Sequence, residues 1–165
     1  MGRKAFFFDR DNTIIKDKGY TYLKKDLVFL PGVVKAFNFL KKEKYLIIII
    51  TNQSGIARGY FELDDVKKFH KFMNKKLKKF NARIDDFFVC GCHPKFLKPK
   101  QKCLCRKPNN YMLLKAIKKW NLKKKDIIMI GDKKSDKSSA IKTKIKFYYK
   151  NKKISLDTQI KKILL

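Results

Sequence analysis

The stretch Phe6-Phe7-Phe8-Asp9-Arg10-Asp11-Asn12-Thr13 decides the fold. An apolar run without polar alternation predicts a strand buried on both faces, which is typical of the centre of a parallel α/β sheet. Its two carboxylates follow at the carboxyl end, where open α/β sheets bind their ligands. Side chains alternate along a strand, so Asp9 and Asp11 could face the same side. Two close acids repel one another, so the stretch predicts either a bound cation or shared proton, or only a polar turn.

The size and composition favour one globular domain spanning residues 1–165. Hydrophobic residues make up 44% of the 165 positions, which is enough for a substantial core. The sequence has no run of 18 apolar residues, so we expect no transmembrane helix and no membrane partner. The amino terminus lacks the cleavage region of a signal peptide, and we therefore predict a cytoplasmic protein.

The charge is extreme, with 43 Lys and Arg against 14 Asp and Glu and a formal net charge of +29. Such a charge attracts nucleic acid, anionic surfaces or phosphorylated substrates. The lysines are spread along the whole chain, however, and arginine is scarce, whereas a specific nucleic-acid face usually shows clustered arginine. We therefore favour a lysine-rich solvated surface over a nucleic-acid partner.

Strands and helices alternate along the chain, which predicts a three-layer α/β fold with a parallel central sheet. The strands are expected at residues 4–9, 45–50, 84–89, 126–130 and 145–149. The helices are expected at 33–42, 62–80, from Pro108 to 120, in a short segment after 136, and at 156–164. Pro31 is expected in the first turn of the first helix, and His70 on a helix as a surface or packing residue.

Polar groups follow three of these strands: Asp9 and Asp11, then Thr51, then Asp132 and Asp136. The pair Arg106-Lys107 precedes Pro108. A carboxylate can attack phosphorus, a second acid can exchange protons, and a hydroxyl and an ammonium can bind phosphoryl oxygens. Further carboxylates can hold Mg²⁺, so the set indicates phosphoryl transfer.

The order Asp-Arg-Asp-x-Thr, Thr-Asn-Gln, Lys-Pro and Gly-Asp-x-x-x-Asp resembles the haloacid dehalogenase (HAD) superfamily of phosphatases over nearly the whole chain. The resemblance implies that Asp9 is the nucleophile, Asp11 the general acid and base, and that Thr51 and Lys107 stabilise the phosphoryl group. It implies Mg²⁺ bound by Asp9, the Asp11 backbone carbonyl and Asp132. Asp136 is the less direct metal assignment, since it could instead orient the groups around the ion.

Two features bear on the shape of the site. Asn12 stands where the family usually has Gly, and since Asn tolerates left-handed backbone angles we expect the turn to survive. The segments between the first strand and Pro31, and between the third strand and Arg106, are too short for a cap domain. We therefore expect a capless, open site.

All four cysteines lie in the loop 90–107, at Cys90, Cys92, Cys103 and Cys105. Without a secretion signal, two Cys-x-Cys pairs favour a structural Zn²⁺ site over a disulfide framework. His93 could replace one cysteine, and four unrelated thiols are the remaining interpretation.

The cysteine loop resembles that of the capless branch containing heptose bisphosphate and histidinol-phosphate phosphatases. Residues 51–60 and the loop Asp17-Lys18-Gly19-Tyr20 look like the heptose enzymes, which implies removal of the 7-phosphate from D-glycero-D-manno-heptose 1,7-bisphosphate, a precursor of lipopolysaccharide, S-layer or capsule sugars. The substrate-binding residues implied are Asp17, Gly19, Tyr20, Asn52, Gln53, Ser54, Arg58, Arg106 and Lys133.

Three alternatives remain open at this stage: a histidinol-phosphate phosphatase, a polynucleotide 3′-phosphatase, and a non-catalytic, zinc-stapled basic module that binds nucleic acid. We expect a monomer, because no apolar stripe is left unassigned.

Overall fold

A computed structural model describes residues 2–165 as helices packed on both faces of one parallel sheet. The strands are β1 (Ala5–Phe8), β2 (Leu46–Asn52), β3 (Asp86–Cys90), β4 (Ile127–Gly131) and β5 (Lys146–Tyr149). The α-helices are α1 (Val33–Lys42), α2 (Leu63–Lys78), α3 (Tyr111–Trp120), α4 (Lys134–Thr143) and α5 (Leu156–Leu164). The predicted three-layer α/β fold is confirmed.

The strand order is β3-β2-β1-β4-β5, so β1 is the central strand, as its apolar run predicts. All four β1 residues are buried, and they pair in parallel with β2 on one side and β4 on the other. The chain winds outward from β1 in one direction through β2 and β3, and then in the other through β4 and β5. A crevice forms where this direction reverses, beside the carboxyl end of β1.

The two faces of β1 contact different helices. Phe6 and Phe8 pack into a core with α1, α2 and α5, whereas Phe7 packs into a second core with α3 and α4. A strand buried on both faces cannot slip by one residue without moving every phenylalanine to the wrong core. The register of β1 therefore fixes where Asp9 leaves the sheet.

Several element boundaries differ from those predicted. The third strand begins at Asp86 rather than residue 84, because the backbone of Ile84 is bonded to the side-chain amide of Asn74 on α2 (2.8 and 2.9 Å). Helix α3 begins at Tyr111 rather than Pro108, because a turn closed by Asn109 N–H and Arg106 C=O (2.8 Å) precedes it.

Two smaller expectations concern Pro31 and His70. Pro31 lies before the first helix rather than in its first turn, because Gly32 is the N-cap, with a φ of 80°. Of the two alternatives for His70, the structure shows a packing residue on α2 and not a surface residue, since only 3% of it is exposed.

The two segments that could hold a cap domain are short. Residues 9–32 contain one 3₁₀ turn (Lys24–Asp26), and residues 91–110 contain another (Pro94–Phe96) together with three of the four cysteines. Neither segment holds a folded domain of its own, as predicted. Asn12 adopts a φ of 56°, so the left-handed turn expected at that position is present. None of the helices within residues 2–165 has both the length and the apolar character needed to cross a bilayer.

We expect Phe6→Ala to lower the free energy of unfolding by about 3–5 kcal/mol, because it removes a fully buried ring and leaves a cavity beside β1. Urea unfolding followed by circular dichroism would measure the loss. The matched control is Phe80→Ala, since Phe80 is 58% exposed and should contribute no more than about 0.5 kcal/mol. Equal losses in the two variants would contradict the assignment of β1 to the core.

Candidate active site

The carboxyl ends of β1, β2 and β4 bring the predicted polar groups to one edge of the sheet. Asp9 follows β1 and donates its backbone N–H to Ile130 C=O (3.0 Å), Thr51 is the second-to-last residue of β2, and Asp132 follows β4. Beside them lies a cavity of about 290 Å³. It is lined by Asp9, Asp11, Asp17, Gly19, Tyr20, Asn52, Gln53, Ser54, Arg106, Lys107, Lys133, Ser135 and Asp136. Most of the predicted site residues therefore share one cavity.

Lys107 lies at the centre of this edge. Its Nζ is 2.8 Å from Asp9 Oδ1 and 2.6 Å from Asp136 Oδ1, and it donates to Ile50 C=O (2.7 Å). Burial by itself would lower the pKa of Lys107, but the charges of Asp9 and Asp136 outweigh burial and raise it. The ammonium group therefore stays charged beside the two carboxylates.

Asp9, Asp132 and Asp136 offer oxygens that all lie within 4.8 Å of one another. Burial raises the pKa of Asp132 to about 6, and the charge of Asp9 adds to the increase. Oδ1 of Asp132 is buried and has no hydrogen-bond partner within residues 2–165. Crowded carboxylates with an unpartnered oxygen fit a hard divalent cation, which relieves their repulsion.

Asp136 reaches this group through a close packing contact. The Asp136 carboxyl lies so near Gly131 that a Cβ on that residue would approach it to about 2.5 Å. Oδ2 of Asp136 accepts the Lys133 backbone N–H (3.0 Å), while Oδ1 faces Lys107. Oδ2 thus has a hydrogen-bond donor, and Oδ1 is ion-paired with Lys107 although it accepts no hydrogen bond within residues 2–165. The ion pair favours an orienting role for Asp136.

The side chain of Asp11 turns away from the three grouped carboxylates. Its oxygens accept hydrogen bonds from Arg10 (2.9 and 3.1 Å) and from Gln53 Nε2 (2.8 Å). Burial raises the pKa of Asp11, although the charge of Arg10 opposes the shift. A carboxyl held outside the metal-binding group with a raised pKa suits proton transfer. Arg10 was not predicted as a site residue, since no spacing rule indicates which way a charged residue between two acids will point.

The amide side chains after β2 are engaged by the protein. Asn52 bonds to the backbone of Lys107 through both ends of its amide (3.0 and 3.1 Å), and so holds Lys107 in place. Gln53 Nε2 donates to Asp11 and to Thr51 Oγ1 (2.8 Å each), and its Oε1 accepts from Arg10 (2.9 Å). The two residues were predicted to bind substrate, but their geometry favours positioning neighbouring groups.

The loop 17–21 forms one wall of the cavity. Asp17 Oδ1 accepts from Gly19 N–H (3.0 Å) and from the Thr21 hydroxyl (3.1 Å), so this carboxylate shapes the loop. Arg58 does not line the cavity but lies next to its wall, with its guanidinium over the rings of Tyr20 (5.8 Å) and Phe96 (5.0 Å).

Arg58 and Arg106 form a pair of cations near the mouth of the cavity. Burial, and then the charge of Arg58, lower the pKa of Arg106. Among residues 2–165, neither guanidinium forms an ion pair with a carboxylate. Two neighbouring guanidiniums without a carboxylate partner can bind a phosphate group.

The four cysteine sulfurs lie within 4.8 Å of one another, as the spacing predicts. Three of the separations are 3.5, 3.5 and 3.9 Å, whereas Cys90 with Cys105, and Cys92 with Cys103, lie at bonding distance. Four sulfurs about 2.3 Å from one zinc ion would be about 3.8 Å apart. The cluster could therefore hold a metal ion, and the same sulfurs could also form two disulfides.

His93 lies outside this cluster, and its Nδ1 accepts the Lys95 backbone N–H (3.3 Å). The cluster fastens the loop to the site, because Cys90 C=O accepts the Gln53 N–H (2.7 Å) and Cys105 directly precedes Arg106.

Comparison with known proteins places the chain in a family. The family model described as polynucleotide kinase 3 phosphatase matches residues 4–161. The D-glycero-beta-D-manno-heptose-1,7-bisphosphate 7-phosphatase of Haemophilus influenzae is 39% identical over 144 residues, covering 87% of this chain and 78% of the relative. The corresponding alpha-anomer phosphatase of Campylobacter jejuni is 39% identical over 145 residues, covering 88% and 80%.

Solved structures agree with this placement. A HAD-like phosphatase from Mesorhizobium loti superposes with a TM-score of 0.77 at 29% identity, covering 84% of this chain and 68% of that one. The D,D-heptose 1,7-bisphosphate phosphatase of B. bronchiseptica, complexed with magnesium and phosphate, also gives 0.77, at 21% identity and 98% coverage of both chains, which shows the shared fold. The chain therefore belongs to the HAD superfamily, in the phosphatase family matched by the polynucleotide kinase 3 phosphatase model, and is a phosphoric monoester hydrolase.

Proposed function

We propose that the protein removes the 7-phosphate from D-glycero-D-manno-heptose 1,7-bisphosphate through an aspartyl-phosphate on Asp9. The observation that carries the mechanism is the Asp9 carboxylate, held 2.8 Å from the Lys107 ammonium in a group of three acids. The names of the relatives support the substrate. Membership of a phosphatase family argues against the non-catalytic nucleic-acid module.

The chemistry divides into two displacements at phosphorus. An Asp9 oxygen forms a bond to phosphorus while the bond to the sugar oxygen breaks, and Asp11 gives its proton to that oxygen. Asp11 then takes a proton from water, whose oxygen attacks the aspartyl-phosphate and releases Asp9 and phosphate. Lys107 and Thr51 bind the phosphoryl oxygens during both steps.

We propose Mg²⁺ as the catalytic ion, held by Asp9, Asp132 and the Asp11 backbone carbonyl. Its charge would offset the repulsion between the Asp9 carboxylate and the anionic phosphate. Because Asp136 is ion-paired with Lys107, we assign Asp136 to orienting Lys107 rather than to binding the ion.

The second phosphate of the substrate explains the arginine pair. Arg106 lines the cavity, and Arg58 lies over the Tyr20 ring that forms part of its wall. A phosphate held by both guanidiniums would place the far end of a bisphosphate at the mouth. Ser54 and Lys133 line the same cavity and would contact the sugar or the transferring phosphate.

We also propose that the four cysteines bind one structural Zn²⁺, which sets Arg106 and Lys107 beside the substrate. Thiolate ligands of this kind suit a reducing cytoplasm, where we place the enzyme. Residues 1–165 would act as one catalytic domain, as a monomer, in the supply of nucleotide-activated heptose.

Asp9→Asn should lower kcat by at least roughly a thousandfold, because an amide cannot form the aspartyl-phosphate. Phosphate release from the heptose bisphosphate would measure the loss. Asp64→Asn is the control, since Asp64 is an exposed residue of α2 and its variant should match the wild type. An active Asp9→Asn protein would rule out the mechanism.

Mg²⁺ binding should weaken as the pH falls below about 6. Asp132 has a pKa raised to about 6 in the metal-free protein, and a protonated carboxyl is a poor ligand. Affinity should therefore be constant at higher pH and fall by up to about tenfold per pH unit below 6. Calorimetric titration of the metal-free protein with Mg²⁺ from pH 5 to 8 would show this, and Asp132→Asn should remove the pH dependence together with most of the affinity. An affinity that did not change with pH in the wild type would contradict the assignment of Asp132.

The substrate assignment predicts that kcat/KM for heptose bisphosphate exceeds that for histidinol phosphate and for a 3′-phosphorylated oligonucleotide. Arg106→Met should lower kcat/KM for the bisphosphate by roughly 10- to 100-fold, since it removes a charged hydrogen bond to the second phosphate. The same variant should affect heptose 7-phosphate little, because that substrate lacks the second phosphate. Faster turnover of either competing substrate by the wild type would overturn the assignment.

Metal analysis should find about one zinc per chain, with four thiols that titrate after denaturation without reductant. A Cys103→Ser, Cys105→Ser double variant should lose the zinc and unfold at a lower temperature, since the ion would join the two ends of the loop. Protein without zinc and without titratable thiols would instead show two disulfides.

A further inference from the structure

Arg10 is fully buried, although it lies between two active-site carboxylates. A buried guanidinium is costly unless all of it is paired. Its partners come from four parts of the chain, and each is in contact: the neighbouring Asp11, the Thr21 C=O (2.8 Å), Gln53 Oε1 (2.9 Å) and His70 Nε2 (3.3 Å).

The contact with Asp11 has the geometry of a fork. Nε of Arg10 donates to Oδ1 of Asp11 (2.9 Å) and Nη2 donates to Oδ2 (3.1 Å), so both carboxylate oxygens are held in one plane. Gln53 Nε2 donates to the same Oδ2 (2.8 Å). A bidentate pair of this kind fixes the orientation of a carboxylate as well as its position.

On its other side, the Arg10 guanidinium contacts aromatic side chains. His70 stacks on Phe87 (4.2 Å between ring centroids), and the guanidinium lies 5.4 Å from the Phe69 ring. Arginine can only donate, so Nε2 of His70 must accept the bond from Nη1. Burial and the charge of Arg10 lower the pKa of His70 well below its usual value, which keeps that nitrogen free to accept.

We propose that Arg10 is a positioning residue: it holds the Asp11 carboxylate in its proton-transfer orientation and ties the loop 17–21 to it through Thr21. This inference rests on the proposed function, since it assumes that Asp11 exchanges protons in both displacements. Arg10 does not line the cavity, so it would act on the substrate only through Asp11. Its effect should therefore appear only in the steps that need Asp11.

Substrates with different leaving groups distinguish the displacement that needs a proton from Asp11 from the one that does not. With p-nitrophenyl phosphate, Asp9 forms its bond to phosphorus while the P–O bond breaks, and the electron pair leaves on a stable nitrophenolate that needs no proton. The second displacement still needs Asp11 to take a proton from water. With an alkyl phosphate such as the heptose bisphosphate, both displacements need Asp11.

Arg10→Met should therefore lower kcat for the heptose bisphosphate by roughly 10- to 100-fold, part of what general acid–base catalysis contributes, with little change in KM. With p-nitrophenyl phosphate, the same variant should release one nitrophenolate per site in a fast burst, followed by slow turnover. Arg10→Lys keeps the charge but cannot form the fork, so it should behave like Arg10→Met.

Two further variants complete the experiment: a second test variant and a control. His70→Phe keeps the stacking on Phe87 but removes the acceptor for Nη1, and it should show the same burst with a smaller loss of kcat. If Arg10→Met does not fold, His70→Phe is the variant that tests the inference. Lys41→Met breaks another largely buried ion pair, with Asp85 (2.7 Å), at the opposite edge of the sheet, and should lower stability without producing a burst.

Inhibition by inorganic phosphate reports the Asp9 and Lys107 side of the site and should be unchanged in the Arg10 variants. Full kcat in Arg10→Met, complete rescue by Arg10→Lys, or equal loss of the burst and of turnover would overturn the inference. Failure of the proposed function would appear in the wild type itself, as absent turnover of the heptose bisphosphate, and so can be told apart.

Discussion

The rest of the site depends on one buried ammonium, Lys107 Nζ, held between Asp9 and Asp136. Removing one partner of such a buried arrangement typically costs about 3–5 kcal/mol, because the remaining charge is left unpaired. The fold therefore has to deliver three charged groups to one point. Asp9 follows β1, and Asp136 lies on α4, where it packs closely against Gly131. Lys107 lies in the loop that contains the cysteines, and its backbone is hydrogen-bonded to Asn52.

Much of this could be predicted from the sequence because the apolar runs are unambiguous. A short apolar run such as Phe6–Phe8, followed directly by polar turn residues, favours a strand buried on both faces, and parallel strands end at one edge of a sheet. The clustering of Asp9, Thr51 and Asp132 follows from that topology, whereas Lys107 lies in a loop and was assigned from the family resemblance. The four cysteines could be grouped for a similar reason, since short spacers leave the sulfurs little freedom to separate.

What could not be predicted depends on side-chain direction and tertiary contacts. Arg10 could have pointed to solvent, and only the packing of α2 against the sheet places His70 and Phe69 around its guanidinium. The sequence predicts Asn52 and Gln53 as substrate ligands, but it could not show that their amides also bond to Lys107, Asp11 and Thr51. The start of β3 depends on Asn74, a residue on another element.

Transfer of the phosphoryl group through Asp9 can be tested by trapping the aspartyl-phosphate. Wild-type protein would be mixed with the heptose bisphosphate and Mg²⁺, quenched in acid within the first turnover, digested and analysed by mass spectrometry. We expect one added phosphoryl group on the peptide that carries Asp9, lost on treatment with hydroxylamine. Rapid turnover with no phosphorylated peptide, or with the label on another residue, would contradict it.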